Sequence, residues 1–401
     1  MTVVIKKVTL KSGKTVWEAV ADGPTDPVTG KRKQIRRRGT TKREAREKVQ
    51  NAIRSLTDDG IDESAAERVT FDKAAEHWLK VYELTGVKKS TIRVRQKEIN
   101  ILNKHIAKLP IIKVTPLRYQ KLINDIAPHY ARTTVQGVNI CARMIFKQAI
   151  RDKIIKHNPT DDVVIPKKRR SVKDIEKDEI SEKYFERDEL ETFLKAVDEY
   201  GLENDKEWFY LLAFTGMRSG ELLALKWSDV DFENNEIRIT KTMYNPNNNM
   251  REYELTPPKT DGSVRTITVE DEIMDMLKSH YMKQKKMYMK YRHEIEEFHD
   301  ANFVFAHSNG YPFVHRNIID RMDRIMGFTL IEKKAKPHLL RHTHISMMTE
   351  AGVDLATIMD RVGHEDVQTT LNIYTHVSKK MKKDASTKIK NLYENVFSNL
   401  I

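Results

Sequence analysis

A single cysteine, Cys141, stands in 401 residues, which excludes an internal disulfide framework and a cysteine-built zinc site. Long apolar runs are missing too. No stretch approaches the ~20 apolar residues needed to span a bilayer, and the N-terminus lacks the apolar core of a secretory signal. Neither a glycine-rich phosphate cradle nor a paired-carboxylate metal motif is present. Internal repeats and low-complexity tracts are also lacking. What the chain has is charge: 32% of its residues are charged against 39% hydrophobic, with a net +13. That balance describes a globular protein long enough for two or three domains. Residues 1–56 hold fifteen Lys or Arg and five Asp or Glu, a local balance of +10. A basic excess gathered in one module is the electrostatic footprint of a nucleic-acid binder, although charge alone also fits a solvated surface without a partner.

The pattern along the chain predicts a mainly α protein with small β elements (α+β) in three units. In residues 1–57, β-prone runs at 3–5, 15–20 and 33–38 are separated by Gly- and Pro-containing turns. Thr41 and Glu44 then read as a capping box opening a helix to about Leu56. Arg36, Arg37 and Arg38 on the last strand are the candidate DNA contacts, and Trp17 is read as core rather than a stacking platform. Residues 58–69 are acidic and read as a linker. Residues 70–165 read as a helical bundle. Its first helix buries Phe71, Ala74, Ala75, Trp78 and Leu79, and Ser90 caps a second with Ile92, Ile99, Leu102 and Ile106 on one side. Val138, Cys141, Ile145 and Ala149 mark a later helix. Lys88, Lys89, Arg93 and Arg95 suit either phosphates or a solvated face. A basic connector, 166–181, offers Lys168, Arg169 and Arg170.

Residues 182–401 read as a mostly helical unit with strands at 236–240, 252–255 and 264–269, the last entered through the turn Lys259-Thr260-Asp261-Gly262. Pro337 suits a first helical position. Three residues apart, His338 and Arg341 would share the exposed first turn of that helix, suited to a phosphate. Arg218 follows an apolar helix and a Thr-Gly break, at the start of a helix running Glu221 to Trp227, with Glu221 placed to orient it. Lys259 stands on its turn, His364 follows Gly363 at a helix end, and Tyr374 lies ten residues later at the end of another helix. His342 and His344 are read as structural.

With Thr-Gly-Met-Arg-Ser-Gly-Glu at 215–221, Pro-Lys-Thr at 258–260, His-Leu-Leu-Arg-His-Thr at 338–343, Val-Gly-His at 362–364 and Tyr374, the third unit resembles the catalytic domain of the tyrosine recombinases, the lambda-integrase family. The three-part layout is similar to integrases of temperate phages and conjugative transposons, with an arm-binding module first and a core-binding bundle second. The resemblance implies that Tyr374 is a nucleophile forming a 3′-phosphotyrosine, and that Arg218, Arg341 and His364 hold the phosphate oxygens. It further implies that Lys259 protonates the leaving 5′-oxygen and that His338 assists as base or phosphate ligand. No metal or nucleotide is needed, because the covalent bond conserves the phosphodiester for resealing. Double-stranded DNA, at core and arm sites, is the implied partner, acted on through a Holliday junction in the cytoplasm of a bacterial host. A homotetramer would form through the tail after Ser378, where Met381, Ala385, Ile389, Leu392 and Val396 fall at steps of three and four, although the same apolar face also suits a helix packed on its own domain. Accessory directionality and DNA-bending proteins are expected, and no membrane. A chromosome-dimer resolvase or a type IB topoisomerase would share this chemistry, but the basic N-terminal module argues against both. A DNA-binding regulator without catalysis is disfavoured because all six catalytic positions match.

Overall fold

The computed structural model describes residues 2–25, 32–167, 180–258, 263–363 and 367–398. It divides into two units, Met1–Arg169 and Arg170–Ile401.

The first unit opens with an antiparallel sheet in the order β1 (Val4–Thr9), β2 (Thr15–Thr25), β3 (Arg32–Gly39). Helix α1 (Lys42–Arg54) lies on one face, its Ala45, Val49 and Ile53 packing with Ala19, Ala21 and Ile35. Thr41 caps α1 as expected, its hydroxyl accepting from the Glu44 amide at 3.1 Å. The box closes differently, since the Glu44 carboxylate accepts from the amide and hydroxyl of Thr40, both at 2.6 Å, one residue earlier. Successive strand residues face opposite ways, so the three candidate arginines do not act as one set. Arg36 and Arg38 are exposed on the open face, opposite Val20 and Glu18, whereas Arg37 is half-buried on the helix side with Ile35. Glu18 is buried on that open face between Lys6 at 3.6 Å and Arg38 at 3.0 Å. Trp17 packs against the small core, with the Lys42 ammonium 4.6 Å from its ring.

The acidic stretch read as a linker is folded. A π-helical turn, Ser55–Asp59, ends on Gly60, and the single-turn α2 (Glu63–Ala66) follows with Asp62 as its cap. Two apolar residues in that polar run, Ile61 and Ala66, are buried and anchor it. Lys156 also pairs with Asp59 at 3.1 Å. The bundle that follows has α3 (Phe71–Glu83), α4 (Lys89–Ile106), α5 (Pro116–Ile126) and α6 (Arg132–Arg151). Its core joins Phe71 and Trp78 with Ile99 and Leu102, and then Val138, Cys141, Ile145 and Ala149, as the periodicity indicated. Helix α4 starts before the expected cap. The Lys88 carbonyl accepts from the Thr91 and Ile92 amides, which puts Ser90 inside the first turn.

The second unit begins with α7 (Arg187–Tyr200), α8 (Asp205–Thr215) and a short α9 (Ser219–Ala224) that ends before Trp227. Strands β4 (Val230–Asp231), β5 (Glu236–Ile239) and β8 (Arg265–Thr268) form one sheet in the order β4-β5-β8. A separate hairpin pairs β6 (Thr242–Tyr244) with β7 (Glu254–Thr256). Two or three residues are too few for alternation to show, so β4 and β6 left no pattern in the sequence. Then come α10 (Asp271–Tyr291), α11 (His315–Met326), α12 (Pro337–Glu350), α13 (Leu355–Val362) and α14 (Val367–Ser398). The main core joins Trp208, Phe209 and Leu212 of α8 with Leu222, Ile237, Ile267, Leu277, Phe305, Ile318 and Leu340. A second cluster joins Tyr184, Ile345, Ile358, Val362, Ile373 and Val377. Tyr374 was expected at a helix end but lies in the second turn of α14, which runs unbroken for 32 residues, roughly 48 Å at 1.5 Å per residue. Of the expected apolar tail face, Met381 and Ile389 are exposed, while the side chains of Ala385, Leu392 and Val396 lie outside the described residues. Among the described residues no helix is long and apolar enough to cross a membrane.

Candidate active site

Helix α8 ends on a turn that sequence alone explains. Gly216 takes φ +63, and a Cβ there would lie 2.7 Å from the His344 ring, so only glycine fits. The turn points the Gly216 carbonyl toward α12 and sets Arg218 at the N-cap of α9. Arg218 is held from two sides. Its Nη1 donates to Glu221 at 2.8 Å and its Nη2 to the Gly363 carbonyl at 3.0 Å. Glu221, the residue expected to orient it, also accepts from the Arg218 amide at 2.9 Å.

Helix α12 starts with Pro337 at its first position, as expected. Its two candidate residues then differ from the picture of an exposed pair. His338 is exposed, but Arg341 has no exposed surface, and its Nη1 donates to the Gly216 carbonyl at 2.6 Å. The helix start is exposed only on the His338 side, because Arg341 turns under it toward α8. Burial first, then the charge of Arg218, holds the Arg341 guanidinium well below its ordinary pKa, with Glu221 opposing. His338 is open to solvent on one side and packed on the other. That partial desolvation, then Arg341 and Arg218, lowers it to about 4, so it is neutral at pH 7 and able to accept a proton. The His342 ring stands edge-on to it at 4.6 Å.

Tyr374 is half-buried against the Ile345, Ile358 and Val362 cluster, which ties α14 to α12 and α13. Lys259 and His364 lie outside the described residues, as do Lys168, Arg169 and Arg170. Their neighbours are seen: Ser263 lies four residues after Lys259 in the chain, and Gly363, directly before His364, caps α13 at φ +65.

Of the other candidates, Arg36, Arg38, Lys89 and Arg93 are exposed, and Lys88 is half-buried. Arg95 leaves the solvent-facing set. Its side chain is 18% exposed and pairs at 2.6 Å with Glu98, a carboxylate buried inside the bundle. A buried carboxylate demands such a counter-charge.

Two arginines of the site went unread in the sequence. Arg265 on β8 is buried and donates to Glu221 at 3.0 Å. Arg361 on α13 donates to the Thr268 carbonyl at 3.0 Å and to His344 Nε2 at 3.1 Å. The signal for Arg265 was available: it alternates with Ile267 and Val269 on the inward face, a place where a cation needs a partner. His344 is structural as expected, its Nδ1 set 3.0 Å from the Ala213 carbonyl. Among the described residues no group of His, Cys, Asp or Glu could hold a metal ion.

This geometry can grip an anion. Arg218 and Arg341, 123 positions apart in sequence, are locked to neighbouring turns, and Glu221 is the carboxylate that opposes the charges of Arg218 and Arg265 around Arg341. Guanidinium groups fixed in a desolvated recess suit an oxyanion on which charge develops.

Comparison with known proteins gives the family of the chain. The model of the phage integrase family matches residues 183–381, that of a phage integrase N-terminal SAM-like domain residues 70–127, and that of an arm DNA-binding domain residues 5–56. The integrase of Staphylococcus phage L54a is 30% identical over 347 residues, covering 82% of this chain and 95% of that protein. The Tn1549 transposon integrase in complex with transposon right end DNA is similar in fold, with TM-score 0.61 and 22% identity over 79% of this chain and 100% of that one. The lambda integrase tetramer bound to a Holliday junction gives TM-score 0.52 and 16% identity over 90% and 95%.

His344 makes the site's stability pH-dependent. Burial first, then the Arg361 charge, lowers it to about 3 from 6.5. The unfolded chain therefore takes up the proton first, so the stability is complete above about pH 6.5 and is lost as pH falls toward 3. His344 alone costs about 3 kcal/mol between pH 6.5 and 4. Urea unfolding across that range should show a shallower pH slope for His344→Asn than for the wild type; equal slopes would refute the assignment.

Proposed function

The chain belongs to the phage integrase family and is a site-specific tyrosine recombinase that integrates and excises mobile DNA, and we propose that Arg218, Lys259, His338, Arg341, His364 and Tyr374 carry its strand exchange. The observation behind this reading is the joining of distant segments by two arginines, Arg341 to the Gly216 carbonyl and Arg218 to the Gly363 carbonyl. Tyr374 sits on a helix packed to the same elements.

The Tyr374 oxygen attacks phosphorus, with neutral His338 taking its proton or holding a phosphate oxygen. Arg218, Arg341 and His364 bind the non-bridging oxygens, where negative charge grows as phosphorus becomes five-coordinate. The bond to the 5′-oxygen breaks and Lys259 supplies its proton, leaving a 3′-phosphotyrosine and a 5′-hydroxyl. Attack by the 5′-hydroxyl of the partner strand releases Tyr374 and makes the Holliday junction. One phosphodiester is formed for each one broken, so the cycle consumes no nucleotide.

The bundle at 70–165 binds core sites and the basic module at 1–57 binds arm sites, with Arg36 and Arg38 facing DNA from the open side of the sheet. Lys88, Lys89 and Arg93 in the bundle and Lys168, Arg169 and Arg170 in the connector add phosphate contacts. The enzyme works as a tetramer on DNA in the cytoplasm of a bacterial host. The tail after Ser378 docks on a neighbouring protomer, and a directionality factor and a DNA-bending protein assist at the arm sites. The tail reading is supported by the exposure of Met381 and Ile389 beyond Val377, the last core residue among the described side chains.

Three experiments test these assignments. A nicked suicide substrate carrying the attachment site should trap a covalent adduct that Tyr374→Phe abolishes and Arg341→Ala lowers about a thousandfold; an adduct surviving in Tyr374→Phe removes that tyrosine as nucleophile. Deleting residues 1–56 should lower integration while sparing cleavage at the core site, and integration equal to wild type would contradict an arm-binding role. Truncation after Ser378 leaves Ile373 and Val377 in place, so cooperative assembly on DNA should fall without unfolding; unchanged assembly would refute the exchange of tails.

A further inference from the structure

Arg265 lies where three parts of the site meet. Its side chain is 5% exposed, and that of Glu221 2%. Its Nη2 donates to Glu221 at 3.0 Å, its Nε to the Arg361 carbonyl at 2.7 Å and its Nη1 to the Ser263 carbonyl at 3.0 Å. The first contact reaches the carboxylate that holds Arg218. The second reaches a residue three before His364, and the third a residue four after Lys259. A planar fork of donors can span three acceptors in this way, which a lysine's single ammonium cannot.

Glu221 accepts from both Arg218 and Arg265. If Arg218 were its sole cation, moving that guanidinium onto a phosphate would strand a buried carboxylate, and the carboxylate would hold it back. With Arg265 in place the carboxylate stays compensated while Arg218 turns to an incoming anion. The carboxylate is held below its ordinary pKa in the same sense: burial would raise it, and Arg265 first, then Arg218, outweigh that.

We propose that Arg265 is a positioning residue of the recombination reaction, neutralising Glu221 so that Arg218 can lend its charge to the scissile phosphate, and tying β8 to the end of α13 through the Arg361 carbonyl. This rests on the reading of Arg218 as a phosphate ligand.

The test compares binding of full-length protein to an attachment-site duplex with binding to the same duplex lacking the scissile phosphate, a readout that needs no nucleophile. Arg265→Met should reduce the preference for the phosphate by about tenfold, and adduct formation on the suicide substrate with it. Adding Glu221→Gln should restore part of the preference, because a neutral amide no longer competes for Arg218. Arg265→Lys should fall between, and it carries the same test with Glu221→Gln if the methionine variant does not fold. A preference unchanged in Arg265→Met, or a double variant no better than the single one, overturns the proposal. Arg218→Ala run alongside separates the two readings: if it keeps full preference, the assignment of Arg218 fails and this inference with it. If it loses preference while the Arg265 variants do not, only Arg265 is excluded.

Discussion

A guanidinium with no exposed surface is the constraint on which the catalytic unit depends. Removing such a cation from water costs on the order of several kcal/mol, and for Arg341 the charges of Arg218 and Arg265 add to that cost. The Gly216 carbonyl at 2.6 Å and the nearby charge of Glu221 offset part of it. Gly216 can present that carbonyl because its backbone is left-handed and no Cβ meets the His344 ring. One glycine thus serves the arginine on one side and the histidine on the other. What is left is a recess of positive potential built before any ligand arrives, which is how a site stabilises charge that appears only in the transition state.

The same device recurs around the site. Arg218 reaches the Gly363 carbonyl, Arg265 the carbonyls of Ser263 and Arg361, and Arg361 that of Thr268. Apart from the local bond to Ser263, each joins an arginine on one element to backbone more than 90 residues away in sequence. A bond to a carbonyl fixes where the chain runs without depending on the side chain there, so turns carrying reactive residues can be held by neighbours that carry none. The apolar cluster of Ile345, Ile358, Val362 and Ile373 does the coarser work, packing α12, α13 and α14 together.

Much of this was legible in the sequence, and the failures have physical causes. Helical periodicity identified the bundle core from Phe71 to Ala149 and the capping residue Thr41, because both signals are local. Strand alternation found β5 and β8 but not the three-residue β6. The acidic stretch after Leu56 looked like a tether by composition, yet Ile61 and Ala66 were enough to pin it. Spacing put His338 and Arg341 on one face, but burial is set by what packs against a face, and Arg341 turned inward. For Arg265 the strand pattern marked an inward-facing cation that needs a partner, but the partner itself, Glu221, lies 44 residues away on another element, where no local pattern identifies it.

The positive charge of the chain is therefore of two kinds. Of the net +13, residues 1–56 carry +10, leaving +3 for the rest. By count residues 57–181 carry +8 and residues 182–401 carry −5, so Arg341 and Arg265 are buried in a unit that is acidic overall. Exposed cations such as Arg36 and Arg38 act through solvent and are screened within about 8 Å at physiological salt. They suit a module that must find and release DNA. Arg341 and Arg265 act in a desolvated recess where screening is weak and geometry decides. A chain that must bind long DNA reversibly and also stabilise one five-coordinate phosphorus needs both, and it keeps them in separate folded units. Net charge therefore points to the module that grips DNA, and the reacting centre has to be found from burial and hydrogen bonds.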